Sequence, residues 1–365
     1  MLVCSVAVMS VRRIIQTFHD WQLTGEPMVL ATVYDTAGST YSKPGQRILI
    51  RGNADYQGLV SGGCLEGDLA ERARSVLDNG DPAAVTYDMR DEADDIFGLG
   101  VGCNGMIRVF LQALYKEERY EPFATIAGRL LADQPSSAAT VIASGNPGLP
   151  AGSTLIWPQS FAAADECVAP AFKELLGGCK DVLASGSSRF DTRDDGLAVV
   201  YSLLKPVPRL LVLGAGLDAV PVVSIASELG WRVSVADHRP AYLESKEFTG
   251  AECAVLVVPS ELARDFSVKD FDAVIVMSHH LRTDQIYLAQ LAESAIPYIG
   301  VLGPPARKER LLEALGEAGN RLALCLKGPV GLDIGADSPE SIALSLISEI
   351  HAVLKGAGGR ALTGR

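Results

Sequence analysis

"LLVLGAGLDAVPVVSIASELGWRVSVADHR", residues 210–239, decides the fold of the C-terminal half of the chain. An apolar run leads into Gly214, Gly216 and Ala219, the spacing G-x-G-x-x-A, and a second apolar run ends at Asp237. Each position has a mechanical role in a strand–turn–helix–strand unit that binds a dinucleotide. Gly214 permits the tight turn, Gly216 lets a phosphate approach the backbone, and Ala219 lets helix and strand pack closely. The helix N-terminus offers N–H groups to a diphosphate. Asp237 is expected to accept from ribose hydroxyls and to repel a 2′-phosphate, favouring NAD over NADP. The same residues also fit a fold whose site is unused or holds another phosphate-bearing ligand.

The pattern continues outward in the C-terminal direction. "CAVLVV", "DAVIVMSHH" and "PYIGVLG" are further apolar runs separated by helical segments. Near-continuous apolar strands alternating with helices imply a parallel sheet covered on both faces. "SPESIALSLISEIHAVLKG" closes the domain, with Ser338 as cap, Pro339 in the first turn and Gly356 as stop. His279 and His280 end one strand, on the edge where such sheets bind ligands, and are candidates for acid–base or substrate-binding work. With no third ligand in view they do not make a metal site. "GPVGLDIGA", residues 328–336, reads as a loop at the same edge.

Toward the N-terminus, "KPVP" (Lys205 to Pro208) is a stiff spacer and the expected boundary, giving domains 1–205 and 206–365. The first of these opens with an amphipathic helix on Val11, Ile14, Ile15, Phe18 and Trp21. "MVLATVY" and "QRILI" read as buried strands on either side of the polar turn "DTAGSTYSKPG". "AAVTYDM" and "MIRVFLQAL" flank a glycine-rich loop, and signals weaken over 116–205. The expected class is therefore α/β: a mixed N-terminal domain followed by a Rossmann-type, doubly wound parallel sheet.

"GLVSGGCLEGDLAERARSVL" places Cys64 after Ser61, Gly62 and Gly63, where a strand gives way to a helix carrying Glu66. Backbone N–H groups at such a turn make an anion-binding concavity, and the helix end favours thiolate. A small residue filling a tight turn explains Cys64 equally well. Cys103 lies in a second glycine-rich loop, Gly102-Cys103-Asn104-Gly105. Two converging loops would line one pocket with thiols and free amides.

The totals exclude several classes. A net charge of −12 argues against a broad nucleic-acid surface, which needs clustered Lys and Arg. Seven scattered cysteines without a CxxC pair are not a disulfide framework. "MLVCSVAVM" lacks a basic leader and no run reaches membrane-span length, so a cytoplasmic protein without a membrane partner is expected.

Together, "GLVSGGCLEGDLAERA", "GLGVGCNGMIRVFLQ", "LLVLGAGLDAV", "VIVMSHH" and "GPVGLDIGADSPESIALSLISEI" resemble the XdhC/CoxI family of xanthine dehydrogenase accessory proteins. The resemblance implies a homodimer that binds molybdenum cofactor (molybdopterin), protects its sulfurated form and helps insert it into a client molybdenum hydroxylase of the xanthine dehydrogenase type. It admits a cysteine desulfurase as a second partner. It sets Cys64 and Cys103 at the cofactor-handling site, with Ser61, Gly62, Gly63 and Glu66 around the first and Gly102 and Gly105 around the second. NAD or another nucleotide is expected at Gly214, Gly216, Ala219 and Asp237. Two positions depart from the family pattern: Leu217 stands where His is common, and Asn104 where Gly is usual. The competing reading is an NAD-dependent oxidoreductase with His279 or His280 handling a proton; pure scaffolding leaves the glycine-rich loops unexplained.

Overall fold

A computed structural model of the chain describes residues 10–63, 65–90, 105–158, 168–244 and 248–363. Cys64, Gly102 and Cys103 lie outside the described residues. The chain divides into two compact units, Met1–Pro206 and Val207–Arg365.

The first unit begins with α1 (Val11–Thr24), which buries Ile14, Ile15 and Phe18 and ends on left-handed Gly25. It continues through β1 (Met28–Gly38), β2 (Arg47–Arg51), β3 (Tyr56–Gln57), α2 (Glu66–Asn79), β4 (Ala83–Asp88) and β5 (Gly105–Leu114). These strands form an antiparallel sheet in the order β3-β2-β1-β5-β4. Alternation along the strands sends Val29, Ala31 and Val33 to one face, where α2 covers them with Leu69, Ala73 and Val76. Met28 and Leu30 point to the other face, against α1 and α3 (Phe123–Leu131).

The stretch 116–205 supplies a second antiparallel sheet, order β7-β6-β9-β8. Its members are β6 (Ser136–Ala143), β7 (Thr154–Trp157), β8 (Arg189–Thr192) and β9 (Ala198–Leu204). α4 (Lys173–Ser185) packs on its outer face, where Gly178 is held against the Tyr201 ring with no room for a Cβ. Tyr34, Phe110, Ile142 and Val200 join the two sheets.

In the second unit the six strands are β10 (Arg209–Leu213), β11 (Arg232–Asp237), β12 (Cys253–Leu256), β13 (Ala273–Val276), β14 (Tyr298–Val301) and β15 (Leu326–Lys327). All pairings are parallel and the order is β12-β11-β10-β13-β14-β15. This is the dinucleotide-fold order, reversing between β10 and β13. α5 (Ala219–Glu228) and α11 (Pro339–Leu354) cover one face. α6 (Pro240–Leu243) and α7 (Leu262–Asp265) are single turns along the chain. α8 (Leu281–Leu291), α9 (Pro305–Leu315) and α10 (Glu317–Leu322) cover the other face with Leu288, Leu311 and Leu322. Leu210, Leu211, Val212 and Leu213 are wholly buried, each contributing about 1.5–3 kcal/mol of apolar burial. Ser338 caps α11 and Pro339 occupies its first turn, as the sequence predicts. Among the described residues, no helix is long and apolar enough to cross a membrane.

Candidate functional site

In the first unit the turn before α2 is built around one carboxylate. Glu66 is buried, and its Oε1 accepts from the N–H groups of Val60 at 2.8 Å and Ser61 at 2.9 Å. Its Oε2 accepts from the Ser61 hydroxyl at 2.8 Å and the Gly63 N–H at 2.9 Å. The Ser61 Oγ accepts in turn from the Leu65 N–H at 2.8 Å. Burial pushes the Glu66 carboxyl up, but the hydrogen bonds from Ser61 and Val60 outweigh it and hold the pKa below the usual range. Gly62 and Gly63 adopt φ of +83° and +112°. A Cβ at either would meet nothing within 4 Å, so glycine is needed for its torsions and not for space.

This changes one expectation. The Gly63 N–H does not await an external anion, because the chain's own carboxylate already accepts from it. Glu66 is accordingly an internal counter-charge for the turn. Gly105, at the start of β5, is packed so closely that a Cβ would lie 2.5 Å from the Ser39 carbonyl oxygen. Ser42, in the same polar turn as Ser39, donates to the Val60 carbonyl at 2.6 Å. That turn therefore bridges the entry to β5 and the approach to Ser61.

In the second unit the fingerprint residues take the roles their spacing predicts for the fold. Gly214 has φ +131°, and a Cβ there would sit 2.4 Å from the Met277 carbonyl oxygen. Ala219 is fully buried at the start of α5. Asp237 is wholly buried too, and its Oδ2 accepts from the Ala215 N–H at 2.6 Å. Arg239 donates to the same carboxylate through its backbone N–H, Nε and Nη2 at 2.7–2.9 Å, while its guanidinium lies 3.9 Å from the Tyr242 ring centroid. Burial raises the Asp237 pKa, yet Arg239 and the Ala215 N–H outweigh it and hold it low. The expectation that a bare carboxylate repels a 2′-phosphate therefore loses its basis, since Arg239 neutralises it. Asp237→Asn should cost about 1–3 kcal/mol in denaturant unfolding, by removing the charge that Arg239 and the Ala215 N–H bond to. An unchanged midpoint would show that this carboxylate does not hold the loop.

The two histidines divide. His280 caps α8: its Nδ1 lies 2.9 Å from the Thr283 hydroxyl and accepts from the Thr283 N–H. His279 has φ +60°, and its Nε2 lies 2.7 Å from Asp218 Oδ2 across the strand-order reversal. A carboxylate partner calls for a proton on Nε2. The turn is pinned from behind, where Ser278 donates to buried Asp284 at 2.5 Å and Arg307 donates to its other oxygen at 2.5 Å.

His279 and Asp218 stand at a cavity of about 660 Å³ between the ends of β13 and β14, α5, α11 and the loop 328–336. Its walls include Val222, Met277, Leu302, Val330, Ile334 and Leu346, and Asp333 also lines it. The loop is tied to α11: the Gly331 N–H donates to Glu349 at 2.8 Å, and the Ser345 hydroxyl donates to the Leu332 carbonyl at 2.6 Å. Asp218 and Arg239 escape the sequence reading. Asp218 is 61 residues from His279, and only the adjacency of β10 and β13 joins them.

Fold and site together define a protein of two α/β units, the second a parallel sheet in dinucleotide-fold order with a cavity beside its strand-order reversal. A model of the XdhC Rossmann domain matches residues 210–350, and one of the XdhC and CoxI family matches residues 21–88. The chain is 32% identical over 326 residues to a probable xanthine dehydrogenase subunit of Bacillus subtilis (strain 168), covering 89% of this chain and 92% of that one. It is 22% identical over 333 residues to the molybdenum cofactor insertion chaperone PaoD of Escherichia coli (strain K12), covering 91% and 85%. A crystal structure described as a xanthine dehydrogenase of Bacillus halodurans aligns over 98% of each chain, with 27% identity and a TM-score of 0.76. The chain belongs to the XdhC and CoxI family.

Proposed function

We propose that this protein is an accessory factor that binds molybdenum cofactor and helps insert its sulfurated form into a molybdenum hydroxylase of the xanthine dehydrogenase type. The observation that carries this reading is the reach of the relatedness: PaoD, a molybdenum cofactor insertion chaperone, aligns with 91% of the chain, across both units. The turn braced by Glu66 supports it further, because Ser61, Gly63 and Leu65, on either side of Cys64 in the sequence, belong to one hydrogen-bonded set. On this reading Cys64, with Cys103, handles the cofactor. A cysteine desulfurase supplies the sulfur, and the protein works as a homodimer.

Purified without oxygen from cells that make the cofactor, the wild-type protein should carry molybdenum and pterin in near-equal amounts. Cys64→Ala should carry at least tenfold less, and Cys103→Ala should fall between them. The competing reading, an NAD-dependent oxidoreductase, draws on the His279–Asp218 pair beside the fingerprint. Bound dinucleotide with no pterin in any sample would favour it and end the accessory reading.

A further inference from the structure

We infer that the crevice of the second unit takes a flat, uncharged nitrogen heterocycle that presents an amino-oxo-pyrimidine edge, the edge shared by pterins and guanine, and does not take a diphosphate. This rests on, and deepens, the cofactor-binding reading: it gives the second unit a ring pocket of its own, at the β13–β14 side of the strand-order reversal.

Three features point the same way. The first is shape and polarity. A cavity of about 660 Å³ walled by Val222, Met277, Leu302, Val330, Ile334 and Leu346 suits a planar ring with few charges. It is held open in advance, because Glu349 and Ser345 anchor the loop that forms one wall.

The second is the polar set. Asp333 lines the cavity, and its carboxylate has no hydrogen-bond or ion-pair partner among the described residues. A carboxylate accepts two parallel N–H bonds, as it does from a guanidinium. The ring N–H and exocyclic amine of an amino-oxo-pyrimidine offer that pair. His279, with Nε2 held by Asp218, keeps Nδ1 for the other side of the ligand.

The third is charge. Among the described residues no Lys or Arg lines the cavity, whereas two carboxylates, Asp218 and Asp333, do. Asp218 also crowds the fingerprint itself, its Oδ1 lying 2.5 Å from where a Cβ on Gly216 would be. A diphosphate laid over Gly216 would meet that carboxylate at close range. The nearby Arg239 is already committed to Asp237.

The test is calorimetry on the full chain with free pterin, guanosine and NAD+ as probes. Pterin or guanosine should bind at least tenfold more tightly than NAD+. The stronger of the two then identifies the source of the edge. Asp333→Asn should weaken that binding at least tenfold with no change in thermal midpoint, because Asp333 is exposed. Asp337→Asn, an exposed neighbour that does not line the cavity, should leave it unchanged. Tighter binding of NAD+ than of either ring, no binding of either ring, or ring binding indifferent to Asp333→Asn would overturn the inference. Copurified molybdopterin retained by Asp333→Asn, with no binding of free rings, would sink it while the accessory reading stands. Ring binding that depends on Asp333, with no molybdopterin copurified by any sample, would sink the accessory reading alone.

Discussion

Gly214→Ala should unfold the second unit at denaturant concentrations where the wild type is intact. Two costs add at this residue. Its φ of +131° lies where L side chains are strained, and the added Cβ would sit 2.4 Å from the Met277 carbonyl oxygen and 2.6 Å from its carbon. Backbone cannot rotate aside as a side chain can, and Met277 continues β13, a strand bonded on both sides by β10 and β14. Backbone strain and forced overpacking together amount to about 3–6 kcal/mol, a large part of a domain's stability. Trp231, buried against α11 and stacked on His351, is the single tryptophan of the Val207–Arg365 unit. Its emission should shift to the red with a lowered midpoint. A wild-type midpoint for Gly214→Ala would mean that the β10–β13 junction has slack the structure does not show.

The second large effect belongs to the first unit. Glu66→Gln keeps the volume but replaces one acceptor oxygen by an NH2 group. With the NH2 at the Oε1 position the Val60 and Ser61 N–H groups both face a donor; at the Oε2 position the Ser61 hydroxyl can turn to accept, and the Gly63 N–H is left facing one. A buried donor left unmatched costs roughly 1–3 kcal/mol, and the amide takes the orientation that leaves fewest, so a loss of about 1–3 kcal/mol is expected. The pH dependence gives an independent check. The folded carboxyl has a depressed pKa, so its contribution is fully present above the ordinary glutamate range. It fades as pH falls from there through the depressed folded value. Unfolding free energy of the wild type should therefore decline on acidification more steeply than that of Glu66→Gln. Parallel acid limbs in the two proteins would remove Glu66 from its assigned place in the turn.

How much of this is legible in the sequence differs between the units. In the second, strands buried on both faces announce themselves as apolar runs, and the glycines fall where only glycine fits the turn. The sheet order follows from a fold with few alternatives. In the first, α1 and α2 carry helical periodicity and clear stops at Gly25 and Gly80. β8 carries almost no signal, because "RFDT" is four residues long, none of them fully buried. The site was legible in its glycines and obscure in its charges. Asp218, Asp237 and Glu66 look alike in a sequence. Which one meets a histidine, which one an arginine and which one a ring of N–H groups depends on strand adjacency and on helix entry angle. Those are set by packing across the unit. Local spacing could put Glu66 near a glycine turn, but not decide that its carboxylate folds back into it.

That folding back has a further consequence. A turn whose negative charge is supplied from within is complete before anything is delivered to it. The N–H groups of Val60, Ser61 and Gly63 already have their acceptor, so a ligand bound there would spend little of its interaction energy on ordering these residues. Release would be eased for the same reason, since those three donors keep their acceptor when a ligand departs. For a carrier, such evenness between empty and loaded states matters more than tight grip, because cargo must leave for the client as readily as it arrived.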